Sequence, residues 1–255
     1  MERYHHCDAC CITRRKFLEQ VGKVSLGSML FTSGILWAGC AKEEDMTEIH
    51  KNEIIQFQQW CKPIISELLG ADNYDGFCQA ALKEYDKFAS QLPGYEDEMN
   101  ERLFYSNCPW MLSNYRTLLN EFHLEQKQAL EMLRQISNFK HKKKFENQSV
   151  IMKFIYPRIA KYEFLRNAAL KKFMIKKDEK YGWTAVIPDS DAYIAVDYTK
   201  CGLTDWFRDQ GVPEIAPIAC EGDYIQFALW KGLKFVRTKT IANGDEICDM
   251  RFIKI

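Results

Sequence analysis

The sequence predicts an α+β protein in which an N-terminal layer of helices packs on a C-terminal antiparallel sheet. Residues 46–180 are rich in Leu, Lys, Glu, Gln and Phe and place apolar residues at helical spacing. After residue 180 the pattern changes to short β-favouring segments that are bounded by turn residues. Helices followed by strands are typical of one α+β domain, here over residues 49–255, helical over 49–180 and sheet-rich over 181–255.

Four helices are predicted in the first part of the chain. The first carries an apolar stripe and ends before Gly70; the stripe consists of Ile54, Phe57, Trp60, Cys61, Ile64, Ile65, Leu68 and Leu69. The second runs from Tyr74 to about Leu92, where a Pro-Gly pair ends it. The third spans Pro109 to about Phe139, with the proline in its first turn. The fourth covers Ser149 to Lys172 and is bent or broken at its internal proline. The basic run Lys140–Lys144 before it is interpreted as a solvated connection.

Four strands and two short helices are predicted in the rest of the chain. The strands are Trp183–Ile187, Tyr193–Thr199, Leu233–Thr240 and Glu246–Ile253, and the helices are Gly202–Gln210 and Glu214–Ala228. Asn243-Gly244 is the strongest hairpin signal in the chain and predicts a two-residue turn. That turn places Lys239 opposite Cys248, and strand alternation then puts Cys248 and Asp249 on opposite faces, Asp249 together with Arg251.

Composition excludes some classes of protein. The chain has 255 residues, with 35 Lys and Arg against 35 Asp and Glu. This balance leaves no excess positive charge for a polyanion, so the sequence does not predict a nucleic-acid partner. The ten cysteines are not spaced as in a small disulfide scaffold, which leaves free thiols, disulfides and metal ligation open.

The N-terminal segment resembles an export signal. Arg14 and Arg15 precede an apolar stretch, as in a twin-arginine signal peptide, here over residues 1–39. The stretch ends in a small-small-Cys sequence at Cys40 that is similar to a bacterial lipobox, although a tryptophan stands three positions before it, where an aliphatic residue is usual. The resemblance implies export across the bacterial inner membrane by the twin-arginine machinery, a lipid on Cys40, a tether over 40–48 and attachment at the cell envelope. Plain cleavage near the same point, giving a soluble exported protein, is the alternative.

Residues that carry chemistry gather in the last sixty positions. The sequence contains no dinucleotide-binding glycine motif, no P-loop, no HExxH and no GxSxG. Cys220 and Asp223 lie at i and i+3, so they share one face of a predicted helix. Lys239, placed opposite Cys248, favours the thiolate of that cysteine. The alternative is that Cys248 is a small buried residue of the core.

Five C-terminal segments together resemble the L-2-amino-thiazoline-4-carboxylic acid hydrolase family: Cys201, Gly211-Val212-Pro213-Glu214, Cys220-Glu221-Gly222-Asp223, Arg237-Thr238-Lys239-Thr240 and Gly244 to Phe252. The pattern is dense over residues 193–255 and faint over 100–192, and Met250 stands where phenylalanine is usual. The resemblance implies a small-molecule substrate, a cyclic amidine. Water adds to its amidine carbon and the carbon–sulfur bond opens, which gives N-carbamoyl-L-cysteine.

Such chemistry needs a nucleophile or activated water, an acid for the leaving group and a cation for the substrate carboxylate. The catalytic candidates are Cys201, Cys220, Asp223, Cys248 and Asp249, and the substrate-binding candidates are Arg237, Thr240 and Arg251. No cofactor is required, and a divalent metal held by the three cysteines is left open. Two other function classes stay open as well: a ligand-binding surface lipoprotein without turnover, and a cysteine-ligated metal or redox protein.

Overall fold

The computed structural model describes residues 46–146, 177–228, 230 and 232–255. The helical layer contains α1 Met46–Leu69, α2 Tyr74–Asp86, α3 Glu98–Tyr105, α4 Cys108–Asn120 and α5 Gln126–Glu146. The C-terminal part contains β1 Thr184–Val186, β2 Ile194–Lys200, α6 Gly202–Asp209, α7 Ala216–Phe227, β3 Leu233–Val236 and β4 Cys248–Lys254. The predicted α+β class, with helices followed by an antiparallel sheet, is confirmed.

Several predictions concern residues outside the described ranges. Arg14, Arg15, Cys40 and the predicted helix Ser149–Lys172 all lie there. Across the ranges that are described, no helix combines the length and the apolar character that a membrane crossing requires.

Helix α1 follows the predicted apolar stripe. Ile54, Cys61 and Ile65 are buried in the core, and Gly70 ends the helix in a left-handed conformation with φ of 90°. Helix α2 begins at Tyr74 as predicted but ends at Asp86, six residues early. The chain leaves the helix there because Phe88 turns into the core, where its ring packs against those of Tyr85 and Trp206.

The helix predicted from Pro109 to Phe139 is wrong, because two helices occupy that stretch. α4 has the expected proline in its first turn but ends at Asn120, and α5 begins at Gln126. His123 between them has a φ of 50°, which lies outside helical geometry. Glycine is the usual sequence sign of a positive φ, and its absence here explains why the break between the helices was not predicted. Helix α3 was not predicted, although the sequence places an aspartate, a common N-cap residue, directly before it. The Asp97 carboxylate accepts hydrogen bonds from the amides of Met99 and Asn100 and so caps the helix.

The basic run Lys140–Lys144 is not a solvated connection, because it lies inside α5. The side chain of Lys140 is the clearest case, with 1% of its surface exposed. Its Nζ donates a hydrogen bond to the Ser106 carbonyl at 2.7 Å and stands 4.0 Å from the centre of the Trp110 ring. Burial lowers the pKa of this lysine. The hydrogen bond and the aromatic ring compensate for part of the lost hydration.

The four strands form one antiparallel sheet with the order β1-β2-β4-β3. β3 and β4 pair in the predicted register, with Phe235 opposite Phe252. The predicted two-residue turn is wrong, since a 3-10 turn over Ile241–Asn243 leads into Gly244, whose φ is 97°. The ladder consequently stops at Val236, four residues before the predicted end of the strand.

Helix α7 lies between α5 and the sheet. On the sheet side its Phe227 ring packs against those of Phe235 and Phe252. On the other side α7 packs against α5, where Gly222 faces His141: a β-carbon at Gly222 would stand 2.4 Å from the His141 Nε2. The glycine therefore sets how closely the two helices approach.

The close approach can be tested with two helical glycines, Gly76 in the first turn of α2 and Gly222 within α7. Alanine normally stabilises such a position by about 0.5–1 kcal/mol. We expect that gain for Gly76→Ala, because nothing lies within 4 Å of its added carbon. Gly222→Ala should instead lower the free energy of unfolding by about 1–3 kcal/mol through overpacking against His141. Urea denaturation measures both values, and a His141→Ala background should reduce the loss. Equal gains at the two glycines would contradict the packing described.

Candidate active site

The predicted site residues divide between the two faces of the sheet. Five of them meet where α7 covers the inner face: Cys201, Cys220, Asp223, Arg237 and Cys248. Their ionisation reflects this proximity. Burial raises the pKa of Cys220, Cys201 and Asp223 raise it further, and Arg237 opposes the increase. The structure thus places thiols, one carboxyl group and one guanidinium group in a single cluster.

The strongest contact in the cluster is the ion pair between Asp223 and Arg237. Arg237 Nη1 lies 2.6 Å from Asp223 Oδ2, and its Nη2 donates to the Cys220 carbonyl at 2.7 Å. The Arg237 side chain is only 4% exposed, whereas that of Asp223 is 35% exposed. The Tyr224 hydroxyl donates to the Arg237 carbonyl, and the guanidinium stands 5.0 Å from the centre of the Tyr224 ring. Arg237 is therefore held by the protein itself, while Asp223 remains within reach of solvent.

Burial has opposite consequences for the two members of this pair. It raises the pKa of Asp223, and the neighbouring Arg237 only partly opposes that rise. Burial would lower the pKa of Arg237, but Asp223 and Cys220 outweigh it, so the guanidinium keeps its charge. A carboxyl whose pKa is raised towards neutrality can accept and return a proton during a reaction.

The three thiols of the cluster are unpaired and protonated near neutral pH. Burial raises the pKa of Cys201 and Cys220, and that of Cys248 to about 11. The predicted thiolate at Cys248 is disfavoured, because burial outweighs the hydrogen bond that its sulfur accepts from the Ile241 amide at 3.2 Å, and because Lys239 is exposed. Within the described ranges, no three His, Cys, Asp or Glu side chains are grouped so that they could hold a metal ion.

Asp249 and Arg251 lie on the outer face of the sheet, away from Cys248, as the alternation predicts. Arg251 Nη1 donates to Asp197 Oδ1 at 2.5 Å. The Asp249 carboxylate accepts hydrogen bonds from the chain just after β3, and these bonds lower its pKa although burial opposes them. Neither residue belongs to the cluster on the inner face.

Thr240 lies at the end of the segment that follows Arg237. The residue is buried, and its amide donates to the Asp245 carboxylate at 2.7 Å. This bond fixes the backbone directly before the 3-10 turn Ile241–Asn243. The turn itself packs against α7, so the chain after Arg237 stays beside that helix.

Two residues near the cluster were missed by the sequence analysis. Tyr198 is opposite Cys248 in the ladder, and burial raises its pKa, as do Asp223 and Cys201. Pairing of β2 with β4 would have revealed it, but only the β3–β4 hairpin had a sequence signal. His141 was assigned to the basic run. Its Nε2 is buried without a hydrogen-bond partner, and burial lowers its pKa, so its imidazole is neutral.

A comparison with known families places this chain. The sequence model of the family described as L-2-amino-thiazoline-4-carboxylic acid hydrolase matches residues 114–252, more than half of the chain, so the chain belongs to that family. The match includes all members of the inner-face cluster and begins well before the segment in which the resemblance is dense. No curated protein and no solved structure gives a significant match.

The ion pair can be tested by titration. Arg237→Met should raise the pKa of Asp223 by at least about one unit, because burial of the carboxyl is then unopposed by the neighbouring cation. Carbon NMR of aspartate-labelled protein measures the titration directly. Arg251→Met is the matched control, since it removes an arginine that pairs with Asp197 on the other face. An unchanged Asp223 titration in folded Arg237→Met would refute the electrostatic coupling.

Proposed function

We propose that this member of the L-2-amino-thiazoline-4-carboxylic acid hydrolase family opens a small cyclic amidine of that type by hydrolysis. Water adds its oxygen to the amidine carbon between the ring nitrogen and the ring sulfur. The carbon–sulfur bond then breaks as the added oxygen becomes a carbonyl. The sulfur takes one of the two protons of the water, the ring nitrogen takes the other, and the product is an N-carbamoyl-cysteine. Family membership supports the reaction class, and the accessible carboxyl of Asp223 beside a buried cation supports its location.

In the proposed mechanism, Asp223 is the general base and then the general acid. Its carboxylate removes a proton from the attacking water and afterwards delivers that proton to the leaving sulfur. Burial raises the pKa of Asp223, which brings the group closer to the range in which it can both accept and donate. Arg237 keeps the carboxylate oriented. Because the Arg237 side chain is almost completely buried, it has little surface with which to contact a substrate.

Attack by water is favoured over attack by a thiol. A cysteine acts as a nucleophile through its thiolate, and burial raises the pKa of all three cysteines in the cluster. Water needs only the carboxyl group for activation. The proposed reaction therefore requires no cofactor, because water, Asp223 and the oriented substrate supply every atom and proton that is transferred.

Asp223→Asn tests the proposed acid–base role. The substitution should lower kcat by about 10²–10⁴-fold, the range expected when a general base is removed. Released thiol, measured with L-2-amino-thiazoline-4-carboxylate as substrate, gives the rate. Asp86→Asn is the matched control, since Asp86 is also ion-paired, with Lys51 between α1 and α2. Full activity of folded Asp223→Asn would exclude Asp223 as the base.

Cysteine variants separate the two nucleophiles in the same assay. If water attacks, Cys220→Ser should retain most of the rate. Cys78→Ser is the matched control and should do the same, since Cys78 is also partly buried but lies in α2, outside the cluster. A loss in Cys220→Ser alone, equal to that of Asp223→Asn, would assign the attack to the thiol instead.

We also propose that the enzyme is exported and lipid-anchored at the cell envelope through Cys40. The Arg14-Arg15 pair and the small-small-Cys sequence support this, and both lie outside the described residues. In a bacterial host, the wild-type chain should enter the membrane fraction and incorporate labelled fatty acid. Cys40→Ser should be exported without a lipid, and replacement of both arginines by lysine should leave the precursor uncleaved inside the cell. Fatty-acid labelling of Cys40→Ser would contradict the assignment.

A further inference from the structure

Four consecutive backbone amides after β3 are held by side chains instead of by the sheet ladder. The acceptors are three residues of the turn and of the start of β4: Asp245, Cys248 and Asp249. Asp249 Oδ1 accepts from the amides of Thr238 and Lys239 at 2.8 and 2.5 Å, Asp245 Oδ2 accepts from that of Thr240 at 2.7 Å, and Cys248 Sγ accepts from that of Ile241 at 3.2 Å. A fifth contact joins the Thr238 hydroxyl to Asp249 Oδ2 at 2.5 Å.

The turn explains why side chains are needed here. The regular ladder ends at Val236 opposite Arg251. Beyond it, a longer backbone hydrogen bond from the Asp249 amide to the Lys239 carbonyl, at 3.4 Å, precedes the 3-10 turn over Ile241–Asn243. Backbone amides removed from the ladder need other partners. Gly244 adopts the left-handed conformation that turns the chain back. The Asp245 side chain can then reach the amide of Thr240. The side chains thus replace the hydrogen bonds that the strand gives up.

Arg237 is the residue between the last ladder position and this segment. Its carbonyl accepts from Tyr224, and its guanidinium spans Asp223 and the Cys220 carbonyl. Any displacement of residues 238–241 moves the strand end that carries Arg237. The position of the guanidinium against Asp223 therefore depends on a segment that Asp249 holds from the outer face of the sheet and Cys248 from the inner face.

We propose that Asp245, Cys248 and Asp249 form a backbone clamp on residues 238–241 and act as positioning residues for Arg237. Asp249 lies on the face away from the cluster, so it acts through the backbone and through Arg237. Cys248 serves as a hydrogen-bond acceptor, for which a neutral buried thiol suffices. The contribution of the clamp to catalysis rests on the proposed function, whereas its effect on the backbone and on Asp223 does not.

Asp249 variants test the clamp by hydrogen exchange. Asp249→Ala removes every acceptor from Thr238 and Lys239, so their amides should exchange at least about tenfold faster, as expected when such protection is lost. Asp249→Asn keeps one carbonyl oxygen and should be intermediate. Thr238→Val loses only the hydroxyl contact and keeps the test valid if Asp249→Ala fails to fold. Asp197→Ala is the matched control, because Asp197 stands directly opposite Asp249 in the ladder and pairs with Arg251.

The titration of Asp223 gives a second readout that a merely structural defect would not move. This carboxyl is surrounded by four residues: Arg237 directly after β3, Cys220 of α7, Tyr198 of β2 and Cys248 of β4. When the clamp is released, Arg237 opposes burial less well, so the pKa of Asp223 should rise towards its value in Arg237→Met. The acid limb of kcat/KM should move to higher pH by the same amount, with the rate largely recovered above it.

Two results would overturn the clamp. In the first, amide exchange at 238–241 and the Asp223 titration are both unchanged in folded Asp249→Ala. In the second, activity is lost at every pH without a shift of the acid limb, which would make Asp249 a catalytic residue. If the chain does not turn over the thiazoline substrate, the exchange and titration measurements still decide the clamp, so its failure and that of the proposed function are distinguishable.

Discussion

The removal of Arg237 from water is the constraint on which the rest of the candidate site depends. A guanidinium without solvent requires a counter-ion and hydrogen-bond acceptors, and the cost of leaving it unpaired is several kcal/mol. Asp223 and the Cys220 carbonyl pair with its two terminal nitrogens, and both belong to α7, whereas the buried Nε has no hydrogen-bond partner among the described residues. The arginine therefore ties the end of β3 to one particular helix face, and any substitution that moves this helix also moves the counter-ion.

The position of α7 is in turn fixed from both sides. Aromatic rings of β3 and β4 hold it to the sheet, and a glycine lets it approach α5. Glu221 adds an ion pair to Arg134 of α5 at 3.0 Å. Three consecutive residues thus face three different partners: Glu221 meets Arg134, Gly222 meets His141 and Asp223 meets Arg237. A single turn of helix connects the helical layer to the ionisable cluster.

The sequence indicated the sheet more reliably than the helices. Alternation and the Asn243-Gly244 signal gave the correct β3–β4 register, because both are local properties of the chain. The turn itself differs, because Asp245 and Cys248 make contacts that compete with a tight hairpin. Lys140 was misjudged for a different reason. Its burial depends on Ser106 and Trp110, which lie 34 and 30 residues away and which no helical period reveals.

The site residues show the same division between local and distant information. The helix spacing of Cys220 and Asp223 correctly placed them together, but their partner Arg237 comes from a strand end whose course the hairpin prediction had wrong. Cys248 and Asp249 were both predicted as catalytic candidates, although strand alternation already put them on opposite faces. Two adjacent residues of a strand do not face one substrate. A helix places residues i and i+3 on one side, which makes Cys220 and Asp223 the geometrically consistent choice.

The alternation of side chains along β4 also explains what Cys248 and Asp249 do in the structure. An aspartate on the outer face and a cysteine on the inner face are each oriented to accept hydrogen bonds from the chain that leaves β3. The lowered pKa of Asp249, despite burial, fits a carboxylate that accepts bonds and keeps its charge, whereas the raised pKa of Asp223 fits one that exchanges a proton. The pKa values of two aspartates of one signature thus shift in opposite directions, because one carboxyl is surrounded by backbone amides and the other by buried thiols and a single cation.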